Sequence, residues 1–295
     1  MQSKELADMR RMSDAGAIAF SDDGKPVMDN QLMRYAMEYA RNANLLLISH
    51  SEDMSLTNGG SCNEGANATR AGLKAISRAS EEMGIARELV LAANFGAKVH
   101  IAHVSTRGSV DMIRMAKSRG VKVTAETCPH YFAADDSLIL DYNTNAKINP
   151  PLRTPDDVAA IIEGLQDGTL DAIATDHAPH HLDDKDVPFE DAAFGSIGLE
   201  TAFGVSYTYL VKPGYMTIEK LSALMSTVPA EILGLPVGKL EIGANADMCL
   251  VDLDSAYVVD ASKSASKSKN CVFDGRELYG KIVATIVNGD VKYEE

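Results

Sequence analysis

Hydrophobic positions along the chain follow two rhythms that take turns. In residues 30–42, Leu32, Met33, Ala36, Met37 and Ala40 fall three and four apart, the spacing of one helical face. Residues 44–49 are short, apolar and end in His50, which reads as a strand. The pairing recurs. Residues 4–13 predict a helix with Leu6, Met9 and Met12 on one face, stopped by Asp14-Ala15-Gly16, and 17–21 predict a strand running into Asp22-Asp23-Gly24. Residues 75–95 predict a long helix and 98–104 a strand; 108–119 predict a helix with Val110, Ile113, Met115 and Ala116 available for burial, ended by Gly120. A strand at 121–127 follows. Thr154-Pro155 then opens a helix by the N-cap and first-turn proline rule, with Val158, Ile161, Ile162 and Leu165 on its face, and 171–175 form a buried strand that stops at Asp176. Strands alternating with helices at this spacing imply a parallel sheet with helices outside it.

Past that strand, residues 181–195 are charged and too long for a simple connection. A substrate-contacting loop and a solvated excursion fit them equally. Helices are expected at 199–211 and from the Thr217 cap to Met225, with a short turn at 229–233. From Gly238 the texture changes to alternating β-branched residues with an Asn288-Gly289 hairpin signal, so the chain divides into an α/β part, 1–237, and a β-strand module, 238–295. Residues 262–270 read as a solvated connector whose lysines have no role.

Composition narrows the function. With 295 residues, 45% of them hydrophobic, the chain can bury one large core and a small appendage. A net charge of −14 argues against nucleic acid and anionic membrane surfaces as partners, so an anionic substrate must be held by local groups. Cys62, Cys128, Cys249 and Cys271 lie far apart without a CxxC pair, which fits a reducing cytoplasm better than a disulfide framework. No apolar run is long enough to span a membrane, and the first residues lack the apolar core of a signal peptide.

The chemistry gathers at four strand ends, which carry Asp23, His50, His103 and Asp176. The carboxyl ends of parallel barrel strands face one site, and this mixture of nitrogen and oxygen donors suits zinc. Each signal alone is ordinary: Asp22-Asp23-Gly24 reads as a turn, and a single His is more often a hydrogen-bonded core residue. Their conjunction is not ordinary. His100 and His103 must point to opposite faces if the strand runs through both, and His103 is the one at the strand end.

HIAHVST (100–106), ETCPHYF (126–132), KINPPLR (147–153), IATDHAPH (173–180) and FGSIGLE (194–200) resemble the dihydroorotases of the bacterial monofunctional type, in the metal-dependent amidohydrolase superfamily. The resemblance runs through nearly the whole chain. It implies zinc-dependent, reversible cyclisation of N-carbamoyl-L-aspartate to L-dihydroorotate in pyrimidine synthesis, with two zinc ions in a complete site. By the family pattern His50 and His103 bind one zinc, Asp23 (or its neighbour Asp22) bridges, and Asp176 is ligand and catalytic base. Asn149, His180, Phe194 and Gly195 contact substrate.

One part of the pattern is missing. The family begins with a strand bearing a His-x-His pair and a following Arg, and this chain has no His before His50 and no His-x-His anywhere. The resemblance therefore implies an incomplete (β/α)8 TIM-type barrel, equivalent to strands 4–8, with a small C-terminal β-sandwich portion. One zinc position lacks its His-x-His ligands, the sheet is left with open edges, and the chain alone is expected to be weakly active or inactive. Two other readings stay open: another cyclic amidase of the allantoinase or hydantoinase kind, and a non-catalytic homologue acting as a scaffold. A homodimer or aspartate transcarbamoylase are the protein partners the resemblance suggests.

Overall fold

The computed structural model describes residues 3–295. Ten strands occur among them: β1 (Ala19–Ser21), β2 (Leu46–Ser49), β3 (Cys62–Asn63), β4 (Ala75–Ile76), β5 (Val99–Ile101), β6 (Val123–Thr127), β7 (Ala172–Ile173), β8 (Met248–Val258), β9 (Glu277–Val287) and β10 (Asp290–Glu294). Five of them form one parallel sheet in the order β1-β2-β5-β6-β7. The connections β1 to β2, β5 to β6 and β6 to β7 each pass through a helix: Asn30–Ala43, Arg107–Ser118 and Pro155–Asp167. This is the α/β, TIM-like arrangement expected from the alternating pattern.

Local chemistry accounts for these helices. Asp29 caps Asn30–Ala43 by accepting from the backbone N–H groups of Gln31 and Leu32, and Met33, Ala36, Met37 and Ala40 are buried as their spacing requires. Thr154 and Asp157 form a reciprocal capping box at the start of Pro155–Asp167. Burial of Ile85, Ile101, Ile113, Ile161 and Leu165 joins the helices to the sheet in one core.

Several expectations need correction. The first helix is Met9–Asp14 rather than 4–13, because the Asp8 side chain caps it by accepting from Arg11 N–H; of the anticipated apolar face only Met9 is buried. Residues 75–95 are not one helix. Ala75–Ile76 pairs with Cys62–Asn63 as a short parallel ribbon, and the helix begins at Ala79. Met115 faces solvent, whereas Val110, Ile113 and Ala116 are buried. The helix expected at 199–211 starts at Ala202 and continues from Tyr207 to Val211 as a π-helical turn.

β8, β9 and β10 form an antiparallel sheet, with Asn288 and Gly289 in left-handed conformation at the hairpin between β9 and β10. It packs on the Ala202–Ser206 helix at close range: a Cβ on Gly204 would stand 2.1 Å from the Tyr257 hydroxyl. Residues 262–270 are not wholly solvated, since Asn270 is buried at their end. At the other edge, an apolar groove of about 500 Å³ lined by Met9, Phe20, Met33 and Leu47 opens beside β1.

Candidate metal centre

Four of the five parallel strands deliver a charged or imidazole side chain just past their carboxyl ends. β1 is followed by Asp22 and Asp23, β2 by His50, β5 by His103 and β7 by Asp176. His103 and Asp176 adopt positive φ, +39° and +45°, shortly after their strands stop at Ile101 and Ile173. Left-handed backbone is unfavourable for residues with a Cβ, and its recurrence here marks a place where side-chain direction overrides local preference.

Three donor atoms converge. His50 Nδ1 lies 2.9 Å from His103 Nε2 and 3.0 Å from Asp23 Oδ1, and His103 Nε2 lies 3.2 Å from the same oxygen. Among the described residues this is the one group of three or more such side chains that could hold a metal ion. Donors about 2.0–2.2 Å from a tetrahedral zinc stand roughly 3.3–3.6 Å from one another, so the three atoms need to part by only a few tenths of an ångström to hold one ion. The far side of the His50 ring supports the same role: Nε2 lies 3.1 Å from Glu52 Oε2, a carboxylate–histidine pairing that fixes tautomer and ring plane in metal sites. His100 does not join, for it meets Thr124 and Glu126 instead.

The two adjacent aspartates have different partners. Asp22 is buried and accepts the backbone N–H groups of His50 and Val27, whereas the half-exposed Asp23 turns to the two imidazoles. Burial raises the pKa of Asp22, partly offset by those N–H groups. Hydrogen bonds from His103 and then His50 hold the Asp23 carboxyl well below the usual range. Burial opposes charging His50, but Asp23 and Glu52 outweigh it and push its pKa up to about 9. A cation at this point would take over the attraction that now favours the imidazolium.

Asp176 stands beside the cluster without bringing an oxygen into it. Its pKa is raised, first by burial, with His103 acting in the opposite direction. Of the histidines after it, His177 accepts N–H groups of Gly198 and Leu199, and His181 caps the turn Leu182–Asp184. His180 is held differently: Nε2 donates to the Phe194 carbonyl at 2.7 Å, leaving Nδ1 as the ring's acceptor. Gly195 has φ +136°, and a Cβ there would come within 2.6 Å of the Ala178 methyl, so only glycine fits.

Residues 181–195 are anchored rather than a free excursion. Lys185 is buried and donates to the carbonyls of Thr144, Lys147 and Ala193, and Lys147 Nζ lies 4.6 Å from the centre of the Phe194 ring. Burial, with a further push from Lys147, lowers the Lys185 pKa to about 8.

Three contributors were not foreseen. Glu52 reaches both His50 and Asn149, the latter through Nδ2 at 3.2 Å. Asn270, from the supposed connector, accepts from His180 N–H and donates to the carbonyls of Ala178 and Gly195. Glu81 accepts the backbone N–H groups of Ser105 and Thr106, just after His103, and pairs with Arg153.

A parallel α/β sheet with histidines and aspartates at the carboxyl ends of its strands is shared with a known class of hydrolases. Residues 3–292 match the model of the amidohydrolase family, and the chain belongs to that family, among its dihydroorotases. It is 51% identical over 294 residues to the dihydroorotase of Acetivibrio thermocellus, covering 100% of this chain and 69% of that protein. The dihydroorotase of Pelobacter propionicus is 53% identical over 292 residues, 99% of this chain and 69% of its own length. Among solved structures, an L-hydantoinase (dihydropyrimidinase) from Arthrobacter aurescens superposes with a TM-score of 0.87 at 27% identity, covering 97% of this chain and 67% of its own. The dihydropyrimidinase of Brevibacillus agri, with a TM-score of 0.87 and 18% identity over 98% of this chain and 68% of its own, shares the fold. No helix among the described residues is long and apolar enough to cross a membrane.

Proposed function

We propose that this chain carries the metal-binding half of a dihydroorotase site, acting in the cytoplasm on N-carbamoyl-L-aspartate and L-dihydroorotate. The observation that carries the reading is the convergence of Asp23, His50 and His103 in a chain half identical to dihydroorotases over its whole length. Asp23, His50 and His103 would hold one zinc. When bound, zinc supplies Lewis acidity and brings the pKa of water toward neutrality.

The remaining work falls to the chain's own groups. In the hydrolytic direction water adds to the ring carbonyl carbon and the carbon–nitrogen bond breaks. Asp176, with its pKa raised by burial, takes a proton from the water and delivers it to the leaving nitrogen. In cyclisation the same carboxylate removes a proton from the carbamoyl nitrogen as it attacks the side-chain carboxylate, and water is lost. His180, Asn149 and the Phe194-Gly195 segment orient the substrate.

β1, β2, β5, β6 and β7 correspond in this reading to strands 4–8 of an eight-stranded barrel, and residues 238–295 to part of a β-sandwich. The sequence contains no His-x-His, so a second zinc would have to find its ligands elsewhere, with Asp176 as one of them. Turnover by this chain alone is therefore expected to be low. The first experiment is zinc content after dialysis against metal-free buffer, paired with a dihydroorotate hydrolysis assay. About one zinc per chain with little turnover is the expected result. Robust turnover overturns the low-activity part, and no bound zinc overturns the metal centre.

The solved hydantoinases favour a second reading, a cyclic amidase of that kind; hydrolysis of hydantoin but not dihydroorotate would select it. A homodimer or an association with aspartate transcarbamoylase is tested by co-sedimentation, and binding to the transcarbamoylase without bound metal would support a scaffold role.

A further inference from the structure

Glu52 sits between two parts of the site that are far apart in sequence. Its buried carboxylate oxygen Oε2 lies 3.1 Å from His50 Nε2 and accepts from Asn149 Nδ2 at 3.2 Å. The backbone beneath it is fixed. Asp53 N–H donates to the Ser80 carbonyl, the Ser80 hydroxyl donates to the Asp53 carbonyl, and a Cβ on Gly84 would come within 2.6 Å of Glu52 N. Helix Ala79–Phe95 therefore holds Glu52 against the strand end.

The contact decides which way the Asn149 carboxamide faces. Turned over, it would set two oxygens 3.2 Å apart, which is repulsive, so the amide nitrogen must face Glu52. That leaves Asn149 Oδ1 buried and without a hydrogen-bond partner. An unsatisfied buried acceptor is costly, and a ligand that donates a hydrogen bond to it recovers that cost. A ligand that presents a carbonyl or a methyl group there does not.

We propose that Glu52 is a positioning residue with two partners, holding the His50 ring for the metal and turning Asn149 so that its amide oxygen selects ligands offering an N–H. Ureido and cyclic imide nitrogens are the matching chemistry. The inference rests on the metal-centre reading above and adds to it the group that ties metal binding to ligand choice.

The test uses the full chain with Glu52→Gln, Glu52→Asp and Asn149→Ala. Zinc affinity is measured by competition with a chromophoric chelator. Binding of L-dihydroorotate and of its two ring N-methyl derivatives to zinc-loaded protein is measured by calorimetry, with circular dichroism as the check on folding. Both Glu52 variants are expected to weaken zinc binding about 10- to 100-fold. Wild type is expected to reject one N-methyl derivative by about tenfold or more, and that preference is expected to collapse in Asn149→Ala and Glu52→Gln. Unchanged zinc affinity in the Glu52 variants overturns the His50 half of the inference. Equal binding of the three compounds by zinc-loaded wild type, or binding of none, overturns the Asn149 half. A wild-type chain that takes up no zinc instead removes the metal centre itself, and this inference with it.

Discussion

The Asp22 carboxylate accepts the backbone N–H of His50 at 2.9 Å, while the next residue, Asp23, meets the His50 ring. One acid places the histidine and the other works beside it. Asp22→Ala is expected to cost about 1–3 kcal/mol of stability, because it leaves a buried N–H unpaired, and to weaken zinc binding through His50. Asp23→Ala is expected to abolish zinc binding with little change in the melting temperature of the metal-free protein, since its side chain is 50% exposed. Melting curves beside zinc titrations separate the two; the reverse pattern would exchange their roles.

Asn270 ties the end of residues 262–270 to the loop that carries His180 and Gly195. Asn270→Ala removes three hydrogen bonds at once and should loosen that loop without touching Asp23, His50 or His103. The expected outcome is unchanged zinc affinity with weakened binding of L-dihydroorotate, read by calorimetry on the loaded protein. A loss of zinc would show that the two ends of the site are not independent.

Glu81 and Arg153 form an ion pair with both side chains almost wholly buried, and Glu81 also accepts from Ser105, Thr106 and Ser109. Removing one partner strands the other's charge away from water. Glu81→Gln or Arg153→Met is expected to cost about 3–5 kcal/mol in urea unfolding. The double variant should recover part of that loss, and simple additivity would argue against a coupled pair.

His130 is buried with Nε2 lacking a partner, and burial, with a smaller push from His103, lowers its pKa to about 3. In the unfolded chain an imidazole titrates near 6.5. Between those values the unfolded state holds the extra proton, so this residue's share of stability is intact above pH 6.5 and falls as pH drops toward 3. Comparison of wild type with His130→Phe in urea at about pH 7 and about pH 4.5 should show the wild type losing ground at the lower pH. A difference that does not vary with pH would contradict a neutral, buried imidazole.

The convergence of Asp23, His50 and His103 was legible because each follows a strand whose hydrophobic pattern shows where it ends. Glu52 was not, since an acid three residues beyond a strand, next to Asp53, looks like the start of a cap. Asp53 does cap the helix Met54–Thr57, and nothing in one dimension separates the two acids. Asn270 was hidden by the serines and lysines before it, because burial there depends on Ala178 and Gly195, 92 and 75 residues away. Ala75–Ile76 read as helix because two residues are too few to show an alternation, and their pairing with Cys62–Asn63 is purely tertiary. The start of the first helix was set by one side-chain hydrogen bond, from Arg11 N–H to Asp8, rather than by the apolar period.

The positive φ angles of His103 and Asp176 put the site in tension with the fold that carries it. Such backbone costs on the order of 1–3 kcal/mol at each position, and glycine would relieve it. A chain selected only for thermal endurance would therefore drift toward glycine at these two positions and lose its chemistry in doing so. His103→Gly and Asp176→Gly should unfold later than the corresponding alanine variants, and that margin measures the stability given up to keep an imidazole and a carboxylate at the mouth of the sheet.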